Sequence, residues 1–272
     1  MLPEDKWLKA NGIKLHYLDW GNPAAAPMVL LHGFTSYAHY WDFFARNFKS
    51  EYHVLALDSR GHGDSGCAIS YTMQDGVLDL AEFITILNLE NIVLVGLSMG
   101  GLISILYTAT YHNIVSKLMV VDVGPEFASA GIEHIQRDLA HEPEFFNSED
   151  EAAQYLKQVQ PLHSETFLKH QANYALKRDK DGRLVFKYDK TLCRIELESP
   201  QWLWDYLEQI KCPTLVIHAT DSDMLLKETA QKMVAKLPQG SLVEVDHATH
   251  NIVGDNPQGF EAAVRRFLGA RG

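Results

Sequence analysis

The sequence predicts an α/β domain on a mostly parallel, eight-stranded sheet, with helices on both faces and a helical insertion late in the chain. Two observations carry that prediction. Compact β-branched or leucine-rich runs alternate with segments of helical period, which is the pattern of parallel strands joined by crossover helices. After Gly124-Pro125 the strand signal stops, charged helix-period sequence takes over to about residue 209, and strands then resume.

In chain order, residues 6–10 and 13–20 read as two strands joined through Asn11-Gly12, a pair that tolerates positive φ and makes a tight hairpin turn. The sheet therefore starts antiparallel. Strands follow at residues 28–31, 53–57, 92–95 and 118–121, with helices over 73–87 and 101–112. Two further strands, at 214–217 and 241–245, alternate with helices over 227–237 and 260–268. This divides the chain into a core of residues 1–124 and 210–272 and a helical cap of residues 125–209, with no internal repeat or low-complexity segment.

A chain of 272 residues with 46% hydrophobic composition can bury one large core. A formal charge of −11, with no basic run longer than Arg265-Arg266, offers no footprint for a phosphate backbone or an anionic lipid surface. Nucleic acid and membrane are therefore not expected partners. Cys67, Cys193 and Cys212 are odd in number and widely spaced, without metal-ligand spacing, so neither a disulfide framework nor a zinc site is expected. Residues 1–6 form no apolar leader, and no apolar stretch approaches the roughly eighteen residues a membrane span needs. The cytoplasm is the expected compartment.

The chemistry is concentrated at Gly96-Leu97-Ser98-Met99-Gly100, which has an apolar strand before it and a helical stretch after it. A G-x-S-x-G between strand and helix is a nucleophile elbow: the serine takes a strained backbone conformation, and the flanking positions have little room for more than glycine. Ser98 Oγ is expected above the sheet, with the Met99 amide at the helix start aimed at the same space as an oxyanion donor. His32-Gly33-Phe34 follows the strand at 28–31, where such a sheet supplies its second oxyanion donor, the Phe34 amide. Asp58-Ser59-Arg60-Gly61-His62-Gly63-Asp64-Ser65 reads as a tight structural loop, with His62 as scaffold rather than base. The base is sought after the last strand, where both His247 and His250 stand.

Together, the hairpin start, His32-Gly33-Phe34, the Asp58–Gly63 loop, the elbow, and His250 with Pro257 resemble the α/β-hydrolase superfamily over all but the cap. The resemblance favours His250 over His247 as the base. It also exposes a departure from the commoner pattern. The triad acid usually stands three residues after a glycine ending the strand at 214–217, but here Ala219 holds the glycine position and Ser222 the acid position, flanked by Asp221 and Asp223. Asp122, at the end of the strand at 118–121, matches an alternative placement used by some members. A carboxylate at either strand end can hold the histidine tautomer, so Asp122 is preferred, with Asp223 as the alternative and Asp221 behind it.

The resemblance implies a capped serine hydrolase, in the carboxylesterase class, that needs no cofactor or metal and acts on a small-molecule acyl substrate. Ser98 attacks a carbonyl, His250 takes its proton, the Phe34 and Met99 amides hold the oxyanion, and water deacylates. Amide, lactone and carbon–carbon bond hydrolysis use the same groups, and a receptor with slow turnover is a rival from another class. The sequence is silent on oligomeric state. In the cap, Tyr155, Phe167, Tyr174, Trp202 and Trp204 are candidates for an apolar pocket, and Arg137, Arg178, Arg183 and Arg194 for a carboxylate clamp.

Overall fold

The structure, a computed structural model, describes residues 2–269. Strand β1 (Glu4–Ala10) pairs antiparallel with β2 (Ile13–Asp19) through a turn in which Asn11 and Gly12 both have positive φ, 48° and 80°. The sheet continues with β3 (Pro27–Leu31), helix α1 (Asp42–Phe48), β4 (His53–Leu57), α2 (Met73–Ile86), β5 (Ile92–Leu97), α3 (Met99–Thr110) and β6 (Val115–Val121). Its spatial order is β1-β2-β4-β3-β5-β6-β9-β10, where β9 spans Thr214–Ala219 and β10 spans Gly240–Val245. From β4 onward every pairing is parallel, so the carboxyl ends of β3, β5, β6 and β9 open on one edge.

Alternation along each strand feeds two separate cores, because successive side chains of a strand leave opposite faces of the sheet. Val29, Leu31, Leu94, Leu118 and Val120 pack on one face with α2 and α3. Met28, Leu30, Val93, Val95, Met119 and Val121 pack on the other with Trp41, Phe44 and Phe260. Helix α2 starts at a full capping box, Thr72 and Asp75 satisfying each other's backbone amides, which accounts for its sharp boundary.

Between β6 and β9 come α4 (Ser129–His141), α5 (Glu149–Val159), α6 (Glu165–Tyr174) and α7 (Trp204–Leu207). The insertion is not purely helical, as the sequence reading had it: β7 (Leu176–Arg178) and β8 (Leu184–Phe186) form an antiparallel pair. Asp179 accepts from the amides of Asp181 and Arg183 and from the Arg183 guanidinium, closing a turn at Gly182. Three-residue strands carry too little periodicity to read in advance, and only Asp181-Gly182 signals the turn. Phe146, Leu156, Leu168, Leu176 and Leu184 make a small core within the insertion. Leu203, Leu207 and Ile210 instead join the α2–α3 side of the main core, so the chain re-enters that core some residues before 210.

The remaining helices are α8 (Lys227–Lys236), α9 (Ile252–Asp255) and α10 (Pro257–Leu268). None of the described helices is long and apolar enough to cross a membrane. Cys67, Cys193 and Cys212 are free thiols.

Candidate active site

The turn from β5 to α3 holds Ser98 at φ 51°, ψ −120°, a conformation that costs a non-glycine residue of the order of 1–3 kcal/mol and persists only where its surroundings enforce it. Close packing does so here. A Cβ on Gly96 would lie 2.3 Å from Gly100 O, and one on Gly100 would lie 2.5 Å from Leu31 O. Backbone bonds from Ser98 N to Val121 O and from Gly100 N to His32 O tie the elbow to the strands on either side. The amides of Phe34 and Met99, the two expected oxyanion donors, give their protons to no backbone carbonyl among the described residues.

His32, which sequence reasoning treated only as part of a motif, fixes the first of those amides. Its ring is fully buried; Nε2 accepts from Ser59 N at 3.0 Å, so Nδ1 carries the proton and donates to Gly33 O at 2.7 Å. Burial pushes this imidazole below its ordinary value, in keeping with a neutral ring. Because C=O and N–H of one planar trans peptide point in opposite directions, anchoring Gly33 O turns the Phe34 N–H the other way.

Asp122 follows β6 in the left-handed region, at φ 50°, and is wholly buried. Its carboxylate receives three donors: Ala219 N at 2.9 Å on Oδ1, and Ser222 Oγ at 2.5 Å and His250 Nδ1 at 2.9 Å on Oδ2. Such a set is what a buried carboxylate needs in place of water. With Nδ1 donating, Nε2 of His250 is left as an acceptor.

The rival acid is engaged elsewhere. Asp223 Oδ2 accepts from His134 Nδ1 of α4 at 2.6 Å, and Asp221 is exposed. His247 is also exposed, while His250 faces a cavity. His62 is buried in the Asp58 loop, donating from Nδ1 to Arg60 O. Asp58 braces that loop by accepting from Ala38 N, Asp64 N and His16 Nδ1.

Two cavities meet at Ser98, and Phe34, Ile135 and Met224 line both. One, of about 210 Å³, contains His250 and is rich in hydroxyl, amide and carboxylate groups from α4, α5 and the loop after β3. Tyr155, one of the five cap aromatics expected to face a pocket, lines it, its hydroxyl pushed up to about 12 by burial. The other, of about 190 Å³, lies on the Met99 side and is lined mainly by α2, α3 and residues 192–198. Phe167 packs in the sheet core, and Trp204 donates to Glu126. Trp202, Trp204 and Tyr174 line neither cavity. Neither do Arg137, Arg178, Arg183 or Arg194, so the expected carboxylate clamp is not formed by any of the four.

Comparison with known proteins agrees with this fold. The family model for the alpha/beta hydrolase fold matches residues 26–257. The 3-hydroxybutyrate-oligomer hydrolase of Cupriavidus necator is 30% identical, covering 94% of each chain. The (E)-2-((N-methylformamido)methylene)succinate hydrolase of Acinetobacter baylyi is 26% identical over 95% of each. Among solved structures, E-2-(acetamidomethylene)succinate hydrolase superposes with a TM-score of 0.89 over 98% of this chain and 100% of that one, at 20% identity, a likeness of fold. A strained serine at a strand-to-helix turn, a buried carboxylate–histidine pair at the same sheet edge, and a family match over most of the chain lead to one conclusion: this protein is an enzyme of the α/β-hydrolase superfamily.

Proposed function

We propose that the protein is a serine hydrolase that cleaves a small carboxylic ester through an acyl-enzyme, with Ser98, His250 and Asp122 as its triad and the Phe34 and Met99 amides as its oxyanion hole. The observation that carries this reading is the bond from His250 Nδ1 to the buried Asp122 carboxylate, on an imidazole that shares a cavity with Ser98. His250 Nε2 takes the Ser98 proton as Oγ attacks the carbonyl, and Asp122 stabilises the imidazolium that forms. The imidazolium returns the proton to the departing alkoxide, and a water activated by the same nitrogen releases the acid. The segment of residues 125–209 acts as the cap, its α4 and α5 roofing the His250-side cavity.

Ester chemistry is the leading class because the relative of highest identity reported above is named for hydrolysis of hydroxybutyrate oligomers, which are esters. The test is labelling with a fluorophosphonate, read by intact mass and peptide mapping, alongside ester turnover. A single adduct on Ser98, absent in Ser98→Ala together with at least about three orders of magnitude of kcat, supports the reading. An adduct on another serine, or Ser98→Ala retaining a tenth of the activity, refutes it.

A further inference from the structure

Resting on the serine-hydrolase reading, we infer which side of Ser98 takes which half of the substrate, and the chemical class of each half. The proton that leaves on His250 must be returned to the departing oxygen, so the leaving group lies on the side of Ser98 where His250 stands. That assigns the alcohol to the His250-side cavity and the acyl chain to the Met99-side cavity, from which His250 is absent.

The two cavities differ in chemistry. The acyl side is walled by Met73, Leu102, Ile103, Val123, Phe127 and Leu192. Arg60, the one lysine or arginine lining it among the described residues, is already held by Asp79 through Nε and Nη2, each at 2.7 Å, and lies 3.2 Å from Asp75. Glu196 and Glu198, both exposed, stand at the outer end of this side. An unbranched apolar acyl chain suits the inner wall, and an anionic acyl tail has no partner there.

The alcohol side carries three carboxylates, Asp138, Glu142 and Asp223, and no lysine or arginine lines it among the described residues. Lys190 stands behind Glu142, which also accepts from Tyr188, and His134 lies between Asp138 and Asp223. Lys190 at Glu142 and Arg137, whose Nε lies 3.9 Å from Asp138, offset two of these three charges from outside the lining, so with both counted the carboxylates still leave the wall negative by one. A leaving group bearing a carboxylate meets repulsion there, whereas a cationic or neutral polar alcohol is accepted. The substrate class is thus an ester of an apolar acid with a cationic or neutral alcohol.

The test uses hexanoate esters of three alcohols of similar size: choline, 3,3-dimethylbutanol as its uncharged isostere, and 3-hydroxypropionate. The choline ester is expected to exceed the carboxylate-bearing one by about tenfold or more in kcat/KM, the summed effect of several half-exposed charges. Asp138→Asn combined with Glu142→Gln should narrow that ratio at low ionic strength, each charged ester being referred to the uncharged one measured on the same variant. Hexanoyl should exceed acetyl on one alcohol by about tenfold, and Ile195→Asp, at the exposed rim of the acyl side, should shrink that preference. Equal or faster turnover of the carboxylate-bearing ester, or a ratio untouched by the double variant, overturns the inference while leaving Ser98 labelling intact. Absence of any Ser98 adduct takes down the serine-hydrolase reading and this inference with it.

Discussion

The Ser222 hydroxyl donates to the same oxygen of Asp122, Oδ2, that accepts from His250 Nδ1, at 2.5 Å and 2.9 Å respectively. The residue standing where the commoner pattern places the acid therefore supports the carboxylate proposed to replace it. Ser222 is itself aimed by the amides of Met224 and Leu225, which donate to its Oγ at 3.1 Å and 3.2 Å. With Oγ accepting twice, its proton has Asp122 as its partner, and the direction of that bond is settled.

This arrangement ranks three variants. Asp122→Asn should lower kcat by about four orders of magnitude through the wrong histidine tautomer. Ser222→Ala removes one hydrogen bond to a charged group and should lower kcat roughly tenfold with KM nearly unchanged. Asp223→Asn, which breaks a half-exposed contact with His134, should alter kcat on an uncharged ester by no more than about twofold. Steady-state kinetics with circular dichroism as a folding check decides; Asp223→Asn falling below Asp122→Asn would move the acid to the later strand.

His32 should behave as a positioning residue for the oxyanion site. Without its bond to Gly33 O, the Phe34 amide loses its fixed aim, and His32→Ala should lower kcat by about a hundredfold, the usual effect of losing one oxyanion donor. Fluorophosphonate labelling of Ser98 should slow in parallel, since the phosphoryl oxygen uses the same amides. A purely structural role would instead lower the melting temperature and leave the labelling rate of the folded fraction unchanged.

Acid should destabilise the protein through His62. Burial, with the neighbouring His32 as the next cause, drives its imidazole from 6.5 down to about 3. The unfolded chain protonates this group as pH falls through 6.5, and the folded chain does not until about pH 3, so the unfolded state binds more protons throughout that window and stability drops as pH falls. Between pH 7 and pH 4 the loss from this one residue is on the order of 3 kcal/mol. Denaturant titrations should therefore show a smaller acid-induced loss in His62→Gln than in the parent, and equal losses would count against this account.

Much of the fold was legible because it is local. The eight strands read from periodicity fall on β1 to β6, β9 and β10 within a few residues at their ends, and Asn11-Gly12 makes the hairpin turn. The elbow was legible for a steric reason: at Gly96 and Gly100 there is no room for a Cβ, and glycine in a primary sequence records that directly. Short elements such as β7 and β8 were not legible, since three residues cannot display a period.

What the sequence by itself determined is the sheet, the strained serine between strand and helix, and a short roster of histidines and aspartates near strand ends. Tertiary structure alone decided which of them meet. Asp122 lies 128 positions from His250 and 100 from Ser222, and no local pattern encodes a bond across such separations. The cap was similarly underdetermined: helical spacing cannot say which face of α4 or α5 looks into a cavity, so the four arginines were candidates until packing turned them away and left carboxylates on the wall. Backbone preference acts over a few residues and is written in them, whereas the partner of a buried charge is chosen by how strands order in the sheet.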